Sequence, residues 1–337
     1  MKFSFVVNRT PTFQGITTLR ATGGTGTQAW RSITWSPTLG LWCAVIFGDR
    51  NPAFPYIRTS PDGINWTPHL SPDNVNNTSG YEHITWSEEL GLFCIVGHGQ
   101  IQTSPDGDVW TNRTTPVHGV DSQTEHYTGL VWSPDLSLFV GTRTSGGAIS
   151  GGPYDVVYSS NGINWTGTTQ PAGYSWYNVA WSPSLGLFVS VPSSVTQYLM
   201  TSSNGTTWAI VDYTQGSGPA SQGGWYGVAW SPLLGLFVAV ATNGKTMRSS
   251  DGTNWIEGAM PNANGWTSIV WAPELAQFWA CSQTGTGDRI AYSNNGIDWT
   301  AIDTTGKDRN WQEIEWSPSL MQLCVCAYSS DEFMTIE

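Results

Sequence analysis

Charge is scarce in this chain: only 11% of its 337 residues are Asp, Glu, Lys or Arg. Basic residues are scarcer still, 13 against 25 acidic ones, which leaves a net charge of -12. Nucleic-acid binding draws most of its affinity from neutralised phosphates, so a nucleic-acid partner is excluded, and an anionic membrane surface falls to the same argument. No apolar run nears transmembrane length; the longest, such as Leu41 to Phe47, fit buried strands, and no membrane insertion is expected. The short apolar stretch after Lys2 stops at Asn8, too soon for a signal-peptide core, so the chain is expected to be made in the cytosol without a signal peptide. Cysteine is odd in number: Cys43, Cys94, Cys281, Cys324 and Cys326 match no zinc spacing and read as free, buried thiols. The five histidines form no spaced metal pair, and no glycine-rich stretch opens a helix for phosphate. Neither a metal nor a cofactor is expected.

What the chain has in plenty is tryptophan and glycine, 20 and 38 residues. Both follow an internal repeat. The phrase Trp-Ser-Pro or a near variant recurs seven times, at Trp35, Trp86, Trp132, Trp181, Trp230, Trp271 and Trp316. Leucine stands four residues after each, and an apolar residue seven after. An aromatic stands five before each: Trp30, Tyr81, Tyr127, Trp176, Trp225, Trp266 and Trp311. A second phrase follows six of the seven, first as Ser60-Pro61-Asp62-Gly63-Ile64-Asn65-Trp66 and again ending at Trp110, Trp165, Trp208, Trp255 and Trp299.

Each repeat parses into four strands. Strand a ends at the repeated Trp, a Ser-Pro-x-Leu-Gly turn leads into the apolar strand b, strand c runs into the box, and strand d carries the box Trp. Four strands per repeat, with a period in the forties to fifties, mark propeller blades. The seventh repeat has no box and no strand d. The reading is therefore an all-β, single-domain, seven-bladed β-propeller over residues 1–337, with four-stranded blades. Its last blade is closed by the N-terminal strand, placed at Lys2 to Asn8, because an open ring would leave exposed sheet edges.

The six boxes resemble Asp-box repeats, the bacterial neuraminidase repeats of sialidases and many other propellers, in a form one residue shorter: Ser-x-Asp/Asn-Gly-x-x-Trp. The combined turn-and-box style is also similar to repeat proteins of bacteriophages and other viruses, which implies a virion- or tail-associated protein. Within the boxes, Asp62, Asp106 and Asp251 alternate with Asn161, Asn204 and Asn295. A turn tolerates that exchange, whereas a metal site or a catalytic acid loses its charge, so the boxes read as turns.

The resemblance to sialidases implies an arginine triad and a Tyr-Glu pair, but the arginines fall at no repeated position. Phe54-Pro55-Tyr56-Ile57-Arg58 is a faint likeness to the Arg-Ile-Pro motif of that family. Other glycosidases need two facing carboxylates; Glu82, Asp121, Glu125, Glu313 and Glu315 are the candidates, each read as a solvated surface group. No catalytic residue is assigned. Strand order puts the uniform turns and boxes on one face and the variable links on the other. The long loops Gly48 to Pro55, Thr142 to Asp155 and Ser282 to Asp288, and the links Leu70 to Gly80, Thr114 to His126 and Tyr213 to Gly224, all belong to the variable face. Trp30, Tyr81, Tyr127, Trp176, Trp225, Trp266 and Trp311 open onto it. They are the candidate ligand-binding residues, set to stack on sugars at the channel mouth, with packing between blades as the other reading. The function expected is a non-catalytic binding or structural module for a glycan or a partner protein. A sialidase-like glycoside hydrolase and a cellular scaffold or assembly factor are the alternatives.

Overall fold

The computed structural model of the protein describes residues 13, 15–21, 28–47, 56–72, 80–116, 126–144, 156–168, 174–194, 196–214 and 224–337. They form seven four-stranded antiparallel sheets. After β1 (Thr17–Ala21), blade 1 runs β2 (Trp30–Ser36), β3 (Leu41–Ile46), β4 (Ile57–Ser60) and β5 (Thr67–His69). Blade 2 is β6 (Tyr81–Ser87), β7 (Leu92–Gly97), β8 (Ile101–Ser104) and β9 (Thr111–Arg113). Blade 3 is β10 (His126–Ser133), β11 (Leu138–Thr144), β12 (Val156–Ser159) and β13 (Thr166–Thr168). Blade 4 is β14 (Trp176–Ser182), β15 (Leu187–Pro192), β16 (Tyr198–Ser202) and β17 (Ala209–Asp212). Blade 5 is β18 (Trp225–Ser231), β19 (Leu236–Ala241), β20 (Lys245–Ser249) and β21 (Ile256–Ala259). Blade 6 is β22 (Gly265–Ala272), β23 (Gln277–Thr284), β24 (Ile290–Ser293) and β25 (Thr300–Ile302). Blade 7 is β26 (Trp311–Ser317), β27 (Gln322–Ala327) and β28 (Glu332–Ile336), completed by β1. The innermost strands lie side by side around the ring, and β26 meets β2 to close it.

The closing strand lies later in the chain than expected. Thr17 to Ala21 pairs antiparallel with β28, Thr17 opposite Ile336 and Ala21 opposite Glu332. The ladder extends through Ile16 and Glu337, whose amides and carbonyls exchange bonds of 3.0 and 3.1 Å. Physical reasons favour this segment. Leu19 and Phe13 pack onto the blade 7 core, Phe13 edge-on to Trp279 and Trp316. The Lys307 ammonium also bonds the Thr17 carbonyl at 2.8 Å. Lys2 to Asn8 lies outside the described residues.

The repeated residues each serve the blade locally. In six blades the turn serine accepts the amide of the leucine three residues on, as Ser36 does from Leu39 at 3.2 Å. The next residue, directly before strand b, has positive φ. It is Gly40, Gly91, Gly186 and Gly235 in four blades, and Ser137, Ala276 and Met321 in the other three. In every box the serine oxygen accepts the glycine amide, the Asp or Asn oxygen accepts two amides beyond it, and the Trp indole donates back to the glycine carbonyl where that bond forms. The Asp62 box (2.9, 2.8, 2.8 and 3.2 Å) and the Asn161 box (2.9, 2.9, 2.9 and 3.1 Å) are superimposable in these bonds. Carboxylate and amide are thus equivalent as acceptors here, which is the turn reading of the box. Neighbouring blades are also tied at the turns. The indoles of Trp132, Trp181 and Trp316 donate to Glu89, Asp135 and Glu274 of the preceding blade. All five cysteines are buried and free.

Candidate functional site at the channel mouth

The seven aromatics at the head of strand a do not face the channel. Trp30, Trp176, Trp225, Trp266, Trp311 and Tyr127 are 0% exposed and Tyr81 is 3%. They pack instead into the cores within and between blades: Trp30 lies 4.7 Å from Phe333 of blade 7, and Tyr81 meets Tyr56 of blade 1 edge-on at 6.5 Å. Their polar atoms are turned inward too, Trp225 Nε1 to the Tyr213 hydroxyl at 3.0 Å and Trp266 Nε1 to the Asn262 carbonyl. No ring face is left for a ligand, which corrects the sequence expectation. The cause is burial: seven large apolar side chains gain more from the core than from a wet opening.

The mouth is built by the residue after each aromatic. Strand a carries a β-bulge in all seven blades, between Trp30 and Ser32 in blade 1 and at the matching place in the others. The bulged residue has no partner on strand b, and a bulge re-aims its side chain. Arg31, Glu82, Thr128, Tyr177, Tyr226, Thr267 and Gln312 therefore converge from seven blades on one cavity of about 350 Å³, joined by His126, Thr144, Gln283 and Tyr328. The signal was present in the sequence. Four residues before each repeated Trp stands a varied residue, next to the recurrent Trp or Tyr.

The mouth residues hold one another. Arg31 Nε lies 3.2 Å from Glu82 Oε2, and Glu82 Oε1 lies 3.1 Å from His98 Nε2. His98 stacks on His126 at 3.5 Å between ring centroids, across the blade 2–blade 3 boundary. The Arg31 guanidinium sits over the rings of Phe47 and Tyr328, at 5.0 and 4.8 Å. Burial opposes its charge, but Glu82, with Tyr177, Tyr328 and Tyr226, outweighs that and holds its pKa above the ordinary value. Burial keeps the Tyr177 hydroxyl protonated and, aided by His98, pushes His126 down toward the neutral form. Tyr177 and Tyr226 pack at 4.3 Å, and Gln283 donates to Gln312 at 2.8 Å.

Below the mouth lies a second cavity of about 250 Å³, lined by His83, Asn178, Ser268, Glu313 and Glu315 among apolar residues. His83 Nε2 lies 3.4 Å from Glu313 Oε1. Burial pushes His83 down to about 4 and Glu315 up to about 7, and it raises Glu313 well above the usual carboxylate range. The carboxylates read as solvated surface groups are thus channel residues: Glu82 at the mouth, Glu313 and Glu315 beneath. Glu82 lines a different cavity from Glu313 and Glu315, which share the lower one. Asp121 and Glu125 lie outside the described residues, as do the segments 48–55, 73–79, 117–125, 145–155 and 215–223 of the variable loops. Ser282 to Asp288 is described and pinned, Asn262 and Asn264 both donating to the Asp288 carbonyl. Among the described residues no group of His, Cys, Asp and Glu is placed to hold a metal ion, and no helix is long and apolar enough to cross a membrane.

No family model matches the chain. Among curated proteins it is similar to L-ectoine synthase of Halalkalibacterium halodurans, 29% identical over 66 residues, 19% of this chain and 49% of that one. The chain thus aligns with about half the length of that relative, and the likeness shows no family. Among solved structures it is similar to virginiamycin B lyase from Staphylococcus aureus, with a TM-score of 0.71, 13% identity and 95% and 99% of the two chains covered. It is similar to YCF48 bound to D1 peptide, with a TM-score of 0.65, 16% identity and 96% and 99% covered. It is also similar to a chain of the mitotic checkpoint complex, with a TM-score of 0.69, 12% identity and 99% and 95% covered. At these identities the likeness is one of fold: this chain is a seven-bladed β-propeller, an architecture shared by an enzyme and by proteins solved with peptide or protein partners.

Proposed function

We propose that the protein is a non-catalytic binding module that engages a partner protein or a glycan through the variable-loop face, with the mouth cavity as its recognition site. The observation that carries this is the bulge position. Every blade places an aromatic directly before it, yet the bulge itself presents Arg, Glu, Thr, Tyr, Tyr, Thr and Gln in turn. A rigid repeated scaffold with one individual residue per blade at a shared opening is how a binding site is placed on a propeller. Its volume of about 350 Å³ falls in the range of roughly 300–1,000 Å³ typical of ligand sites. The engagement of Glu82 by Arg31 and His98 supports binding over hydrolysis at the mouth. The Asp-box identity of the repeats and a virion- or tail-associated setting belong to this proposal.

Glycan and peptide arrays probed with the purified protein test the reading, alongside turnover of aryl glycosides. A ligand should be found whose binding is lost in Tyr177→Ala/Tyr226→Ala and kept in Leu136→Ser/Leu233→Ser, a variant of exposed leucines on the opposite face. Binding indifferent to the mouth substitutions, or glycoside turnover abolished by changing Glu82, would sink it.

A further inference from the structure

The mouth cavity holds a surplus of hydrogen-bond donors around one guanidinium. Arg31 is carried there by the bulge of blade 1, with its side chain 18% exposed. Glu82 approaches its Nε at 3.2 Å, yet that nitrogen is buried without a hydrogen bond. No nitrogen of the guanidinium bonds a described residue.

The neighbours leave the terminal nitrogens of Arg31 without a bonded acceptor among the described residues. Glu82 is shared between Arg31 and His98. The hydroxyls of Thr128 and Thr267 donate to the Trp176 and Trp311 carbonyls, at 3.1 and 3.2 Å. Gln312 accepts from Gln283, and its own amide nitrogen reaches the Tyr177 oxygen at 3.5 Å, which leaves the Tyr177 proton unspent. Tyr226 and Tyr328 donate to no described residue. The cavity thus offers the fork of Arg31 and three phenolic O–H groups that can donate to whatever enters it.

We infer that the mouth cavity is a carboxylate-recognition site, in which the terminal nitrogens of Arg31 grip a ligand carboxylate and the hydroxyls of Tyr177, Tyr226 and Tyr328 complete its hydrogen bonds. The inference rests on the binding reading above and names the ligand chemistry of that site. A guanidinium fork matches a carboxylate in two parallel bonds, stronger than those to a neutral carbonyl. Glu82 occupies the Nε side, so it fixes the orientation of the fork while the terminal edge remains for the ligand. The carboxylate can belong to the end of a peptide chain or to an acidic sugar; the chemistry at Arg31 is the same.

Titration by NMR with four probes tests it: N-acetylglycine and methyl glucuronide as the acids, N-acetylglycinamide and methyl glucuronamide as their neutral counterparts. At least one acid should bind about tenfold or more tightly than its amide, and weaken as salt is raised. The acid that binds better identifies the source, peptide or sugar. Arg31→Gln should abolish the difference between acid and amide. Because Arg31 faces buried Glu82, Tyr226→Phe and Tyr328→Phe provide a second arm: each removes one hydroxyl, leaves the melting temperature unchanged and weakens the acid roughly two- to tenfold. The inference is overturned if the amides bind as well as the acids, if the acids bind undiminished to Arg31→Gln or to both phenylalanine variants, or if no acid binds. An array ligand that depends on the mouth while the acids fail would overturn the carboxylate chemistry alone. An array ligand indifferent to the mouth would overturn the binding reading itself.

Discussion

At the scale of the residue, the box shows how one turn accepts two chemistries. Asp62 Oδ1 takes the Ile64 and Asn65 amides as well as the Ser60 hydroxyl, and Asn161 does the same with its amide oxygen. The carboxylates differ in their titration. Burial works against the charge of Asp62, but the bonds from Asn65, Ile64 and Ser60 outweigh it and bring its pKa down from 3.8 to about 2. Asp106 and Asp251 are lowered by bonds of the same kind. A lowered carboxyl contributes stability above its unfolded value, and that contribution is lost as pH falls through the folded one. The triple variant Asp62→Asn/Asp106→Asn/Asp251→Asn should therefore be less stable than the wild type at neutral pH, and the gap should narrow as pH falls from 3.8 to about 2. Asp62→Ala, which removes the acceptor, should cost about 1 kcal/mol at neutral pH by denaturant titration. Equal melting of the Asn and Ala variants at neutral pH would contradict the turn assignment.

At the scale of the element, the repeat made the strands and turns legible, and the same regularity hid the site. Strand b of blade 5 and strand c of blade 7 fall where alternation and apolar runs put them, because each is a short buried segment between turn signals. The bulge of strand a is not legible from periodicity. It shifts the alternation by one residue at the strand's head, so the invariant aromatic turns into the core and its variable neighbour into the mouth. The closing strand was misplaced for a related reason. Lys2 to Asn8 and Thr17 to Ala21 both have strand composition, and only tertiary contacts of Leu19 and Phe13 single out the second. Turn geometry gives a test at this scale. Ser137 stands with φ 48° where Gly186 stands with φ 57° in the next blade, and a Cβ at Gly186 would meet nothing within 4 Å. The backbone conformation alone thus separates the two residues. Ser137→Gly should stabilise, and Gly186→Ser destabilise, each by roughly 0.5–1 kcal/mol in denaturant unfolding. Opposite signs are the diagnostic; a destabilised Ser137→Gly would show that the left-handed turn carries no strain.

At the scale of the whole molecule, ring closure forces seven inner strands to share one narrow channel, and it buries acids there that no single blade would bury. Glu313 and Glu315 come from one strand, two residues apart, and His83 reaches Glu313 across from blade 2. Sequence could not pair them, because blades 2 and 7 meet only through the ring. Burial is the leading cause of the rise of Glu315 to about 7, only partly offset by the Trp316 amide, which donates to Oε1 at 2.9 Å. The sign of the consequence follows. A carboxyl with a raised folded pKa gives stability that is fully present below its unfolded value of 4.5 and is lost as pH rises through about 7. His83, lowered from 6.5 to about 4, slopes the other way, losing stability as pH falls through that window. The two slopes overlap, so the wild-type curve alone does not separate them. Glu315→Gln does, since the amide keeps the acceptor for Trp316 and removes the titration while His83 is left in place. The variant and the wild type should melt together near pH 4.5, and the variant should become progressively the more stable up to about pH 7, with the gap constant beyond. A gap that is already full at pH 4.5, or that never opens, would show that Glu315 is not held protonated by the channel.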